Sequence, residues 1–158
     1  RSMFYAVFPS MFSVDASTRN YWTQPQWYNR DRHLFVRHVP VIARLSAAGW
    51  EPVTGASSSD ASVYVERYGT KYITLLNDSH NERAITVEVD PSVFGAVGKS
   101  LRVTDELTGE HVLAQSCQVA KGSSRSASYF VRVKLEPEQC RVMRLEWTGR
   151  SVDRIRKG

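Results

Sequence analysis

The sequence predicts a mainly β protein: an antiparallel Greek-key-like β-sandwich preceded by an N-terminal strand and one kinked α-helix. Three observations carry this. Apolar residues recur at helical intervals only between Pro25 and about Ala48. From Ser62 onward the period falls to two, and turn signals interrupt that region about every ten residues.

The first element is the aromatic run Met3–Phe12, read as a strand. The helix follows. Tyr28, Phe35, Val39 and Ile42 form its apolar stripe, widened by Leu34, Val41 and Leu45. Thr23 is the expected N-cap and Pro25 suits the first turn. Asp31 is expected near the helix start, where a carboxylate complements the dipole. Gly49 fits the position just past the helix, and Pro52 forbids continuation. Pro40 removes one backbone hydrogen bond, which predicts either a bend near Val36 or two shorter helices. Trp50 is expected to staple the helix to the sandwich.

Beyond the polar segment Thr54–Asp60, strands are expected at Ser62–Tyr68, Lys71–Asn77, Ala84–Val89, Ser100–Asp105, His111–Cys117, Ser128–Leu135 and Gln139–Trp147. Ile85, Val87 and Val89 alternate with Thr86 and Glu88, as one buried sheet face requires. The domain reading is therefore a terminal strand, loop and helix over 1–53, a linker over 54–60, a sandwich over 61–148 and a disordered basic tail over 149–158.

Composition narrows the function. Hydrophobic content of 42% and charged content of 23% suit a globular chain. No apolar run approaches the roughly 18–20 residues that cross a bilayer, so no membrane partner is expected. The net charge of +5 suggests nucleic acid. The excess cations, however, lie in the first third or crowd the last nine residues, the middle is nearly balanced and no helix carries a continuous basic face, so no nucleic-acid partner is expected. Cys117 and Cys140 lie on predicted strands, where a single bridge stays open. The four histidines are scattered and no metal-ligand spacing occurs, so neither metal nor cofactor is expected. Ser10 and Ser13 lack the context of a serine nucleophile.

The order strand, loop, helix and then sandwich matches how a (β/α)-barrel ends before an appended β domain. The run FYAVFPSMFS, followed by YWTQPQWYNRDRHLFVRHVPVIARLSAAGWEPVT, resembles the end of the catalytic barrel in bacterial glycoside-hydrolase-like proteins. The later segments VYVERYG, KYITLLNDS, VTDELTGE and VKLEPEQCRVMRLEW resemble their C-terminal β-sandwich. The motif positions are Leu76, Asn77 and Asp78; Asp105 with Leu107, Thr108 and Gly109; and Leu135, Pro137, Val142 and Leu145. The resemblance implies a parent hydrolase with two carboxylates flanking the scissile bond, on barrel strands upstream of Arg1. No catalytic residue is therefore assigned within this sequence.

On this reading the chain is the C-terminal, non-catalytic part of a carbohydrate-active enzyme. Its partners are carbohydrate, through the parent enzyme, and the upstream barrel of the same polypeptide. The parent would be extracellular or periplasmic, with any export signal upstream of Arg1. The loop Val14–Trp27 supplies candidate sugar-binding residues, Asp15, Tyr21, Trp22 and Trp27, because aromatic faces stack on sugar rings and carboxylates bind their hydroxyls. Tyr64, Tyr68 and Tyr72, with Glu66 and Lys71, form a second candidate as a shallow surface platform. Cross-strand packing explains the three tyrosines equally well. The competing reading is a non-enzymatic sandwich module that binds carbohydrate or protein.

Overall fold

A computed structural model describes residues 1–9, 23–121 and 124–149. One helix, α1 (Pro25–Ala48), precedes ten strands: β1 (Trp50–Glu51), β2 (Ala56–Ser58), β3 (Val63–Tyr68), β4 (Tyr72–Asn77), β5 (Arg83–Val89), β6 (Ser100–Asp105), β7 (His111–Val112), β8 (Ala114–Lys121), β9 (Ser124–Leu135) and β10 (Cys140–Thr148). They form a six-stranded sheet in the order β1-β3-β4-β10-β6-β7 and a four-stranded sheet in the order β2-β5-β9-β8. Every pairing is antiparallel. The mainly β, sandwich-like class expected from the alternating pattern is the one formed.

The sandwich core follows from that alternation. Ile85, Val87 and Val89 of β5 meet Val131, Val133 and Leu135 of β9 and, from the facing sheet, Ile73, Leu75, Met143 and Leu145. Burying each such side chain stabilises by about 1.5–3 kcal/mol relative to exposure. Arg67 closes one edge of this core. Its guanidinium donates to the Val93 carbonyl at 3.0 Å, pairs with Glu51 at 3.1 Å and lies over the Phe94 ring.

The helix makes a third layer. Val41 and Leu45 of α1 pack on Tyr68, Tyr72 and Val142, which occupy the other face of the six-stranded sheet. All six residues of β4 are consequently buried, with Tyr72 and Thr74 under the helical layer and Ile73 and Leu75 in the sandwich. The three-residue turn between β3 and β4 is pinned to the helix end. Gly69 has φ +54°, its N–H donates to the Gly49 carbonyl at 2.8 Å, and a Cβ there would stand 2.9 Å from the Ala48 carbonyl oxygen. Only glycine satisfies both conditions.

Several expectations are corrected. No strand forms in the described part of Met3–Phe12. Residues 2–6 are a turn, closed by Tyr5 N–H to the Arg1 carbonyl and Val7 N–H to the Ser2 carbonyl, with Ala6 at φ +52°. Phe4 anchors this turn: its ring is 1% exposed, and its carbonyl accepts from the Tyr68 hydroxyl at 2.6 Å and the Thr74 hydroxyl at 3.1 Å. A side-chain platform for one carbonyl therefore replaces a strand partner.

The helix is continuous through Pro40, not two shorter helices. Its N-cap is Gln24 without a side-chain bond, not Thr23, because Trp27 and Tyr28 N–H both reach the Gln24 carbonyl. Asp31 lies beyond the first turn, and Arg30 grips it through two bonds of 2.7 Å. The polar segment Thr54–Asp60 contains β2, paired with β5.

The motif residues have structural work to do. Asp105 accepts from the Leu107 and Thr108 N–H groups at 2.9 and 3.0 Å and from Arg141 Nε at 2.7 Å, while Gly109, at φ +74°, closes the turn. Asn77 donates to the Asn81 and Glu136 carbonyls and accepts from Ser79. Both cysteines are free thiols.

Candidate functional site

A groove of about 550 Å³ opens beneath the first half of α1. Asp31, Leu34, Phe35 and His38 form its roof. Residues Arg1–Met3, Pro9, Leu107, Gln139 and Cys140 supply the opposite wall. The groove exists because the helix seals only its second half. Val41, Ile42 and Leu45 are buried, whereas Tyr28, Phe35 and Val39 are half-buried and Leu34 is 47% exposed.

Its chemistry is quiet. The Asp31 carboxylate is held by Arg30. His38 Nδ1 lies 2.9 Å from the Leu34 carbonyl oxygen, one turn back on the same helix. Burial pushes the Cys140 thiol up to about 12, so at neutral pH it carries no thiolate to act as a nucleophile. The other buried carboxylate among the described residues, Asp105, is committed to Arg141 and the turn it caps. Burial alone would raise its pKa. The hydrogen bonds from Arg141, Thr108 and Leu107, with the Arg141 charge, outweigh this and hold it below the usual carboxylate range. No cluster of three His, Cys, Asp or Glu able to hold a metal ion occurs among the described residues.

Of the loop candidates, Asp15, Tyr21 and Trp22 lie outside the described residues. Trp27 is half-buried in the first turn of α1. Of the three tyrosines, two pack across the strands, as the packing alternative has it, and do not contribute to a surface platform. Tyr68 and Tyr72 stand opposite each other across the β3–β4 hairpin and are 1% and 9% exposed, covered by the helix. Burial, reinforced by the nearby Glu66 charge, holds the Tyr68 phenol protonated well above the usual range. Tyr64, on the same face of β3 but beyond the helix, is 50% exposed.

The exposed aromatic that sequence reasoning missed is Trp50. In place of the expected staple between helix and sandwich, it starts edge strand β1, is 59% exposed, and donates its indole N–H to Glu66 at 2.7 Å. Two residues of strand are too short to leave a periodic signal, so only its position after the Gly49 helix stop could have suggested it.

No family model matches this sequence, no curated protein matches it, and no solved structure matches its fold.

Proposed function

We propose that this chain is the accessory β-sandwich of a glycoside-hydrolase-like enzyme, with α1 and the N-terminal turn packed against the enzyme's catalytic barrel. The sandwich stabilises that barrel and carries no catalytic residue of its own. The observation that supports this most is the apolar surface outside the sandwich core. The core of the two sheets is complete without the helix. The segments preceding it nonetheless hold Tyr5 at 55%, Val7 at 58%, Phe8 at 53% and Val36 at 67% exposure. These exposed aromatic and branched side chains, three of them within residues 5–8 and one on α1, are of the kind a buried interface uses.

The test is the intact mass of the native polypeptide in its source, detected with an antibody against the sandwich, together with a glycosidase assay on the captured product. The expected result is a product several-fold heavier than 17.9 kDa that cleaves a glycoside, while the 158-residue chain alone does not. A native product of 17.9 kDa would overturn the reading.

A further inference from the structure

The outer face of the four-stranded sheet carries a second opening, a hollow of about 680 Å³ lined by Thr86, Gln115, Cys117, Phe130 and Arg132 among others. Strand register brings these residues together. Gln115 of β8, Phe130 of β9 and Glu88 of β5 form one cross-strand row, and Arg132 stands opposite Thr86 two residues along β9. Tyr129, Val131 and Val133 are directed to the sandwich core, so the two-residue period turns Phe130 and Arg132 outward. Directly opposed side chains start about 4.5–5.5 Å apart, so the group converges on an area the size of a small ring.

Two features separate this face from an ordinary solvated one. Phe130 is a half-buried aromatic on the outer side of the four-stranded sheet, which α1 does not cover. Its polar neighbours are also unengaged. Lys134 on the same face is tied to Glu82 at 2.7 Å, whereas the side chains of Thr86, Gln115 and Arg132 bond no other group among the described residues.

We propose that this hollow is a carbohydrate-binding site, taking one pyranose ring with its C–H face on Phe130 and its hydroxyls on Gln115, Arg132 and Thr86. A sugar ring is apolar on its face and hydrogen-bonding at its rim, and the hollow repeats that division: one aromatic surface rimmed by an amide, a guanidinium and hydroxyls. Its volume is that of a small-ligand site. Arg132 is the one charged side chain in the lining, too little to hold a phosphate backbone. A single half-buried ring supplies too little apolar surface to anchor a protein. The hollow also faces away from α1, on the other side of the sandwich. The proposal therefore rests on this sheet face alone and stands whether or not the helix docks against a barrel.

The test is isothermal titration of the 158-residue chain with soluble hexasaccharides of β-1,4-glucan, α-1,4-glucan and β-1,4-xylan. At least one should bind with a Kd between about 10 µM and 1 mM. Phe130→Ala and Arg132→Ala, both outward-facing and expected to fold, should each weaken that binding about tenfold or more. Trp50→Ala, on the opposite sheet, should leave it unchanged. Binding of none of the three sugars below about 5 mM, binding indifferent to both β9 variants, or binding abolished by Trp50→Ala would each overturn the proposal.

Discussion

Replacing Asp105 by asparagine isolates a buried ion pair that also holds a turn. The carboxylate is 2% exposed and accepts three hydrogen bonds: two from the turn backbone and one, at 2.7 Å, from Arg141. Asparagine keeps an oxygen for the Leu107 and Thr108 N–H groups, but it presents either a neutral oxygen or an N–H donor to the guanidinium. Arg141 is 14% exposed and would retain the Lys134 carbonyl at 3.3 Å and Glu110, 3.4 Å away and itself 66% exposed. Removing one partner of a buried pair costs about 3–5 kcal/mol. The surviving Glu110 contact and turn bonds bring the expected loss down to about 2–4 kcal/mol.

Urea unfolding followed by fluorescence of the four tryptophans measures this directly. Glu110→Gln is the control and should cost less than about 0.5 kcal/mol, as exposed pairs do. The pH dependence supplies an independent reading. The folded-state pKa of Asp105 is lowered, chiefly because the Arg141 bond and charge and the two turn bonds outweigh burial. Its stabilisation is therefore fully present above the unfolded value of about 3.9 and is lost as pH falls through the folded value. The native protein should weaken steeply below about pH 4, and Asp105→Asn should flatten that slope. A loss under about 1 kcal/mol, or an unchanged acid limb, would refute the argument that this turn is held by a buried charge pair.

Three further outcomes rest on the same geometry. Gly69→Ala should lower the unfolding temperature by several degrees in a thermal melt, because it combines φ +54° with a 2.9 Å approach to the Ala48 carbonyl. Tyr68→Phe should cost about 0.5–1.5 kcal/mol in urea unfolding, leaving the Phe4 carbonyl with only the Thr74 hydroxyl. Iodoacetamide at pH 8 should give one rapid adduct by mass spectrometry, on exposed Cys117. Cys140, held up to about 12 by burial, should label only when the protein is unfolded, and two rapid adducts would contradict its placement.

The sandwich strands were legible because one buried face writes a period of two into the sequence. Ser100–Asp105 was found to the residue, and Arg83–Val89 and Tyr72–Asn77 to within one. Elements too short for a period were not legible: β1 and β2 sat inside what read as a helix stop and a serine-rich linker. The single strand expected at His111–Cys117 proved to be β7 and the longer β8, separated at Leu113, whose 74% exposure breaks the alternation. The tyrosine platform failed for a different reason. Residues 64, 68 and 72 are equivalent by type, and only the tertiary placement of α1 distinguishes the covered pair from the open one. The hollow around Phe130 was hidden likewise, since its residues come from three strands.

The double burial of β4 has a consequence for alignment. In a strand with one wet face, slipping by a single residue turns its apolar set into water, which penalises the error heavily. Tyr72-Ile-Thr-Leu-Leu-Asn77 has no wet face, so a slipped copy would still be dry on both sides. Its position must therefore be fixed from the ends. At one end the tight Gly69 turn allows no slack against the helix. At the other, Asn77 reaches carbonyls at 81 and 136, both of which it would miss after a one-residue shift. In this strand the aliphatic residues supply cohesion, and a glycine before it and an asparagine at its end decide where it starts and stops.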